Sequence, residues 1–253
     1  MRRIVIKVGS AVITQDEELA LDRLSKLVEL IYDLKKQGDE IILVSSGAVA
    51  AGHTIIQLDK SIISQKQTLA AVGQSLLMQT YIKKFNEYDI TCSQILLEAS
   101  IFKDATRLNH AKDAINEMLK HNIVPVINEN DVTAIDELVF GDNDQLAAYV
   151  THNFNSDFLV ILTDVDGYYN NNPRTHKDAK LQQYVNKIDN SLLILKHNAH
   201  NQFATGGITT KLKAAHFLLK YNKAMYLTTG FDLKYVKEYL LNNIHTKGTL
   251  FKK

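Results

Sequence analysis

The chain has 253 residues, 45% of them hydrophobic and 23% charged, enough to bury a large core as one α/β domain or two fused lobes. A formal net charge of +1 supplies no electrostatic attraction for nucleic acid or a membrane surface, so neither is expected as a partner. Cys92 is the single cysteine, which excludes an intramolecular disulfide, and no apolar run approaches the length of a bilayer span; a cytoplasmic location is the expectation.

Arg3 to Val8 reads as a first strand, its apolar part too short for a signal peptide. Leu21, Leu24, Leu27, Val28, Ile31 and Leu34 recur at helical spacing, and Gly38 closes that helix. Glu40 to Val44 is a second buried strand, followed by a short helix over Ala48 to Ala51. A helix at Ile62 to Phe85 leads to a strand at Thr91 to Leu97, where Cys92 fits a small core residue better than a reactive thiol. Then come a helix at Asp104 to His121, a strand at Ile123 to Ile127, and a helix at Asp142 to Asn153. A strand at Phe158 to Thr163, a helix at Thr209 to Tyr221, a strand at Ala224 to Thr228 and a helix at Leu233 to Asn242 complete the series. Such alternation predicts an α/β fold with a mainly parallel open sheet sandwiched between helices. Only two prolines occur and no linker tract, so a boundary near His152, dividing 1–151 from 152–253, is a soft one.

The C-terminal ends of parallel strands share one edge, where ligands bind. Lys7-Val8-Gly9-Ser10 and Ser45-Ser46-Gly47-Ala48 lie at two such ends, and Thr163-Asp164-Val165-Asp166-Gly167 at another. Thr205-Gly206-Gly207 leads into Lys211; none of these loops is a Walker A or GxGxxG motif. Lys7, inside an apolar strand, either snorkels to water or reaches an anionic partner. Gly9 and Ser10 favour the second, because glycine lets backbone approach a phosphate. Ser46 and Gly47 either cap a helix or present its N–H groups to an anion. Lys211 near a helix N-terminus opposes the macrodipole, which a nearby phosphate would relieve. Two acid and amide clusters, Asn128-Glu129-Asn130-Asp131 and Gly141-Asp142-Asn143-Asp144, suit either a hard cation or a polar substrate. Asp142 and Gln145 also have the spacing of a capping box.

Taken together, these segments resemble the amino acid kinase superfamily and, within it, the glutamate 5-kinase family. The resemblance extends through Ser46 to Gly52, Gln67 to Gln74, Val124 to Asp131, Gly141 to Asp144, Leu162 to Asp164, Asp166-Gly167, Pro173-Arg174, Thr205 to Lys211 and Gly248 to Phe251. It implies a three-layer α/β/α fold and transfer of the ATP γ-phosphoryl group to the side-chain carboxylate of L-glutamate, as in proline biosynthesis. Lys7 and Lys211 would supply positive charge from opposite sides, and Asp164 would orient both. Lys7, Thr163, Asp164 and the loop Thr205, Gly206, Gly207, Ile208, Thr209, Thr210 and Lys211 would hold the nucleotide. Ser46 and Gly47 would approach the reacting carboxylate; Asn128, Asp131 and Asn143 would bind the amino acid, with Asp142 and Asp144 shaping the same pocket.

The resemblance therefore assigns the acid clusters to substrate selection, with no resident metal and Mg²⁺ arriving with ATP. It implies a glutamate-binding part over 1–151, an ATP-binding part over 152–253, feedback inhibition by proline and a homo-oligomer. Many family members continue into an RNA-binding-type PUA module, and the expectation here is a form without it. Ala204 stands where glycine is frequent, and Tyr168 to Asn172 is unusually rich in asparagine. Competing readings keep the fold and change the acceptor to N-acetylglutamate, aspartate, UMP or carbamate, or retain only amino acid sensing.

Overall fold

A computed structural model of the chain describes every residue except 17, 135–142, 172, 174 and 195–205. Its strands are β1 (Arg3–Val8), β2 (Thr14–Gln15), β3 (Glu18–Leu19), β4 (Glu40–Ser45), β5 (Cys92–Leu97), β6 (Val124–Glu129), β7 (Phe158–Thr163), β8 (Tyr184–Val185), β9 (Ala224–Thr229) and β10 (Thr249–Phe251). Eight of them form one sheet in the order β5-β6-β4-β1-β7-β9-β10-β8, while β2 and β3 make a separate hairpin. The pairings from β5 through β9 are parallel, and β10 turns antiparallel against β9. Helices cover both faces, giving the three-layer α/β/α arrangement.

β1 is the pivot of this sheet, paired with β4 on one side and β7 on the other, with Lys7 opposite Val44 and Ile161. Its side chains alternate between two cores. Ile4, Ile6 and Val8 join Leu24, Leu27, Ile31 and Tyr81 on one face, while Val5 joins Leu146, Val150, Leu212 and Ala215 on the other. The period of two therefore sends Lys7 to the same face as Val5. That face is covered by the helices Asn143–Asn153 and Gly206–Lys220.

The strand ends at Val8, Ser45, Glu129 and Thr163 fall along one edge, beside the reversal of strand order around β1. Two short helices begin there. Gly9 precedes Ser10–Ile13 and donates its N–H to the Leu162 carbonyl at 2.9 Å. Gly47, at φ +100°, precedes Ala48–His53; a Cβ there would lie 2.6 Å from the Ile13 side chain, so only glycine fits.

The helix Ile63–Asn86 packs against Ala48–His53 at backbone contact distance. A Cβ on Gly73 would sit 1.8 Å from the Ala48 carbonyl oxygen, and one on Gly52 would sit 1.9 Å from that of Leu69. These two glycines explain the small-residue motifs at 46–52 and 67–74 as a packing device that brings Gln74 toward β6.

The anticipated long elements are present, with boundaries that coincide for Arg3–Val8 and Phe158–Thr163 and agree within three residues elsewhere. The helix expected from Thr209 begins at Gly206, and the strands expected to stop at Val44 and Ile127 continue to Ser45 and Glu129. β2, β3, β8 and β10 were not anticipated; two or three residues carry no measurable period. Cys92 is partly buried, and burial pushes its thiol up to about 11, as befits an unreactive thiol. Among the described residues no helix is long and apolar enough to cross a membrane.

Gly73→Ala should destabilise the protein by about 2 kcal/mol or more, because the added methyl meets backbone rather than a movable side chain. Chemical denaturation of the purified variant checks this, and an unchanged midpoint would show that the two helices can separate freely.

Candidate active site

Lys7 and Lys211 are only 2% and 5% exposed. Both converge on Asp144, which is fully buried. Lys7 Nζ lies 2.6 Å from Asp144 Oδ1, and Lys211 Nζ lies 3.1 Å from Oδ2. Thr210 Oγ1 stands 2.9 Å from Oδ2, and Lys211 Nζ also donates to the Gly207 carbonyl at 3.0 Å. Burial alone pushes the Asp144 carboxyl up, but the Lys7 and Lys211 ammonium groups, with hydrogen bonds from Lys7 and Thr210, outweigh it. They hold Asp144 far below the ordinary carboxylate range, so it is ionised. Asp144 also occupies the first turn of its helix, where the macrodipole favours a negative charge.

Asp144 thus stands between the two ammonium groups, the position that the resemblance implies for Asp164. Asp164 stands exposed at the end of β7, accepting a hydrogen bond from Thr163 Oγ1 at 3.0 Å. The reason is the pleat: Lys7 faces the helix that starts at Asn143, and the nearest buried carboxylate on that helix is Asp144. The side chain of Gln145 reaches Thr210, donating to its carbonyl at 3.0 Å, which links the helices bearing Asp144 and Lys211. Asp142, Gly141 and Thr205 lie outside the described residues, and so does the Asp142 half of the capping box. Gly206, Gly207, Ile208, Thr209 and Thr210 form the start of the Lys211 helix, and Ile208 packs into the core beneath it.

Next to the lysines lies a cavity of about 440 Å³, lined by Ser10, Ser46, Gly47 to Ala50, Lys60, Lys66, Asn128, Glu129, Asp131 and Asn143. Its floor is a chain of buried amides. Asn128 Nδ2 donates to Gln74 Oε1 at 2.9 Å, and Asn128 Oδ1 accepts from the Glu129 N–H at 2.9 Å. Asn143 Nδ2 lies 2.8 Å from Asn128 Oδ1, 2.9 Å from the Ser45 carbonyl and 3.1 Å from Ser46 Oγ. Ser46 Oγ thus accepts within the network, which leaves its hydroxyl hydrogen to donate outward, as an anionic substrate oxygen requires. Ser45 is fixed from behind by the buried Tyr81 hydroxyl at 2.8 Å. Among the described residues, no three or more His, Cys, Asp or Glu side chains gather as a metal cage.

The sequence model of the amino acid kinase family matches residues 2–228 of this chain. The chain belongs to the amino acid kinase family. Within the family, the glutamate 5-kinase of Wolinella succinogenes is 47% identical over 255 residues, covering 99% of this chain and 98% of its own. The glutamate 5-kinase of Leishmania donovani is 45% identical, covering 99% of this chain and 95% of its own. Among solved structures, carbamate kinase from Giardia lamblia bound to AMP-PNP superposes with a TM-score of 0.70 at 19% identity, covering 100% of this chain and 98% of its own. That likeness establishes the shared fold.

Of the residues singled out from sequence, Ser46, Gly47, Asn128, Asp131 and Asn143 line one cavity, while Lys7, Asp144, Thr210 and Lys211 make one buried cluster. The sequence left Gln74, Lys60, Lys66 and Glu129 without roles. Gln74 sits in a quoted motif, and its nine-tenths burial is the signal that only the packed helix pair supplies.

Replacing Gln74 takes from Asn128 Nδ2 its acceptor at the floor of the cavity. Gln74→Met should raise the KM for the amino acid about tenfold, the value of one buried hydrogen bond, and leave the KM for ATP unchanged. Steady-state kinetics with each substrate varied in turn tests this; equal rises in both constants would refute a local role.

Proposed function

We propose that this kinase transfers the γ-phosphoryl group of ATP to the side-chain carboxylate of L-glutamate, giving γ-glutamyl phosphate and ADP, as the first step of proline biosynthesis. The observation that carries this reading is the buried Lys7–Asp144–Lys211 cluster adjoining an amide- and acid-lined cavity. The acceptor carboxylate is ionised at neutral pH, so no general base is needed. The obstacle is repulsion between two anions, and positive charge plus alignment overcomes it.

A glutamate oxygen attacks the γ-phosphorus as its bond to the ADP oxygen breaks. Lys7 and Lys211 stabilise the charge on the transferring group, and Asp144 keeps both ammonium groups aimed. Ser46 and the Gly47 N–H steady the attacking carboxylate. Asp131 and the remaining amide acceptors receive the α-ammonium. A UMP phosphate fits poorly beside Glu129 and Asp131, and an N-acetyl group has no charge for them to recognise. Thr163, Asp164 and the 205–211 segment hold ATP, and Mg²⁺ enters on its phosphates. Residues 1–151 thus serve glutamate and 152–253 serve the nucleotide, within one sheet. Proline, which shares the α-carboxylate and ammonium, competes for the same cavity; the enzyme works in the cytoplasm as a homo-oligomer.

Trapping acyl phosphate with hydroxylamine in the presence of Mg-ATP should give a hydroxamate with glutamate and much less with aspartate or N-acetylglutamate. Lys211→Ala should lower kcat by about 100-fold or more while largely preserving glutamate binding. No glutamate-dependent hydroxamate from the wild type would refute the proposed reaction.

A further inference from the structure

The short helix Ser10–Ile13 stands between the turn at Gly47 and the strand end at Thr163. On one side Ile13 packs against Gly47, where an added Cβ would lie 2.6 Å from the Ile13 side chain. On the other, Val12 packs against Gly230, where a Cβ would lie 2.7 Å from the Val12 side chain. The Gly230 N–H in turn donates to the Thr163 carbonyl at 2.8 Å. Ser10, at the start of the helix, lines the cavity. One turn of backbone is therefore in contact with the acceptor side and the nucleotide side of the proposed reaction.

A helix this short cannot satisfy its own carbonyls and depends on outside donors. The Thr14 N–H and hydroxyl close on the Ser10 carbonyl, and the Ala20 N–H reaches that of Ile13 at 2.8 Å. The carbonyls of Ala11 and Val12, and that of Thr14 just beyond, are met by one side chain. Arg23 Nη1 lies 3.3 Å from the first two and 3.4 Å from the third, a donor shared among them. Arg23 Nη2 donates to Gln15 Oε1 at 3.0 Å, and the guanidinium carbon sits 4.6 Å from the centre of the Phe231 ring, beside Gly230. Arg23 projects from the first turn of the helix Leu21–Lys36, rooted in the core through Leu24 and Leu27. A cation in a first turn opposes its own helix dipole, but the carbonyl end of the neighbouring helix favours it. We infer that Arg23 is a positioning residue for phosphoryl transfer, fixing the Ser10–Ile13 helix and, through it, the spacing between acceptor and nucleotide. The inference rests on the glutamate kinase reading.

Arg23→Met keeps the aliphatic stem and removes the donors. It should lower kcat about tenfold or more while the KM for glutamate and for ATP each stay within about twofold, because both substrates still bind and only their alignment is lost. Arg23→Lys, which returns a cation and its donors, should recover kcat to within about threefold of the wild type. If Arg23→Met does not fold, Arg23→Gln decides in its place: a lowered kcat supports the inference and an unchanged one overturns it. Thermal unfolding of each variant separates alignment from fold. A merely structural Arg23 would lower the melting temperature and leave kcat per folded molecule unchanged. That result, a rise in KM without a fall in kcat, or no recovery in Arg23→Lys would overturn the inference. Failure of the wild type to phosphorylate glutamate refutes the proposed reaction instead, so the two failures are distinct.

Discussion

Two ammonium groups buried on one carboxylate constrain the rest of this molecule. An unpaired ammonium in a protein interior costs several kcal/mol, and the ionised Asp144 between Lys7 and Lys211 offsets that cost for both. That requirement fixes the relation of three separate elements: the central strand, the helix that follows the second acidic cluster, and the helix that carries Lys211. Gln145 and Thr210 add a second tie between the two helices. A phosphoryl-transfer site needs its positive charge placed in advance, and the proposed role of this bridge is to provide both placement and charge.

The cavity solves a different problem. Its amides are locked by one another rather than by solvent, from Gln74 through Asn128 and Asn143 to Ser46. Each link sets which atom of the next donates, so the floor presents a defined polarity to whatever enters. Gly73 and Gly52 make this possible by letting two helices touch at the backbone, which brings Gln74 within reach of β6. Packing and chemistry are here the same feature seen at two scales.

The long elements and the loop edge of the sheet were legible because strand and helix periods are strong over six or more residues. Lys7, Ser46, Asn128, Asp131, Asn143 and Lys211 stood out as polar residues at strand ends or helix starts. The partner of the lysines did not. The resemblance implied Asp164 for that place, whereas the pleat turns Lys7 toward the helix that carries Asp144. No local pattern carries that information, since it depends on which helix covers which face. Gln74 was hidden for the same reason, lying on a helix whose approach to the cavity is set by the close contacts of its neighbour Gly73 with Ala48 and of Gly52 with Leu69. Short strands such as β8 and β10 exist only through their neighbours.

The proposal that Lys7 and Lys211 act in phosphoryl transfer, aimed by Asp144, is tested most directly by comparing kcat for Asp144→Asn and Asp164→Asn, with thermal unfolding followed in parallel. The account predicts that Asp144→Asn lowers kcat by about 100-fold or more, while Asp164→Asn acts chiefly on the KM for ATP. A folded Asp144→Asn enzyme with near-normal kcat, or a larger kcat loss in Asp164→Asn, would contradict it.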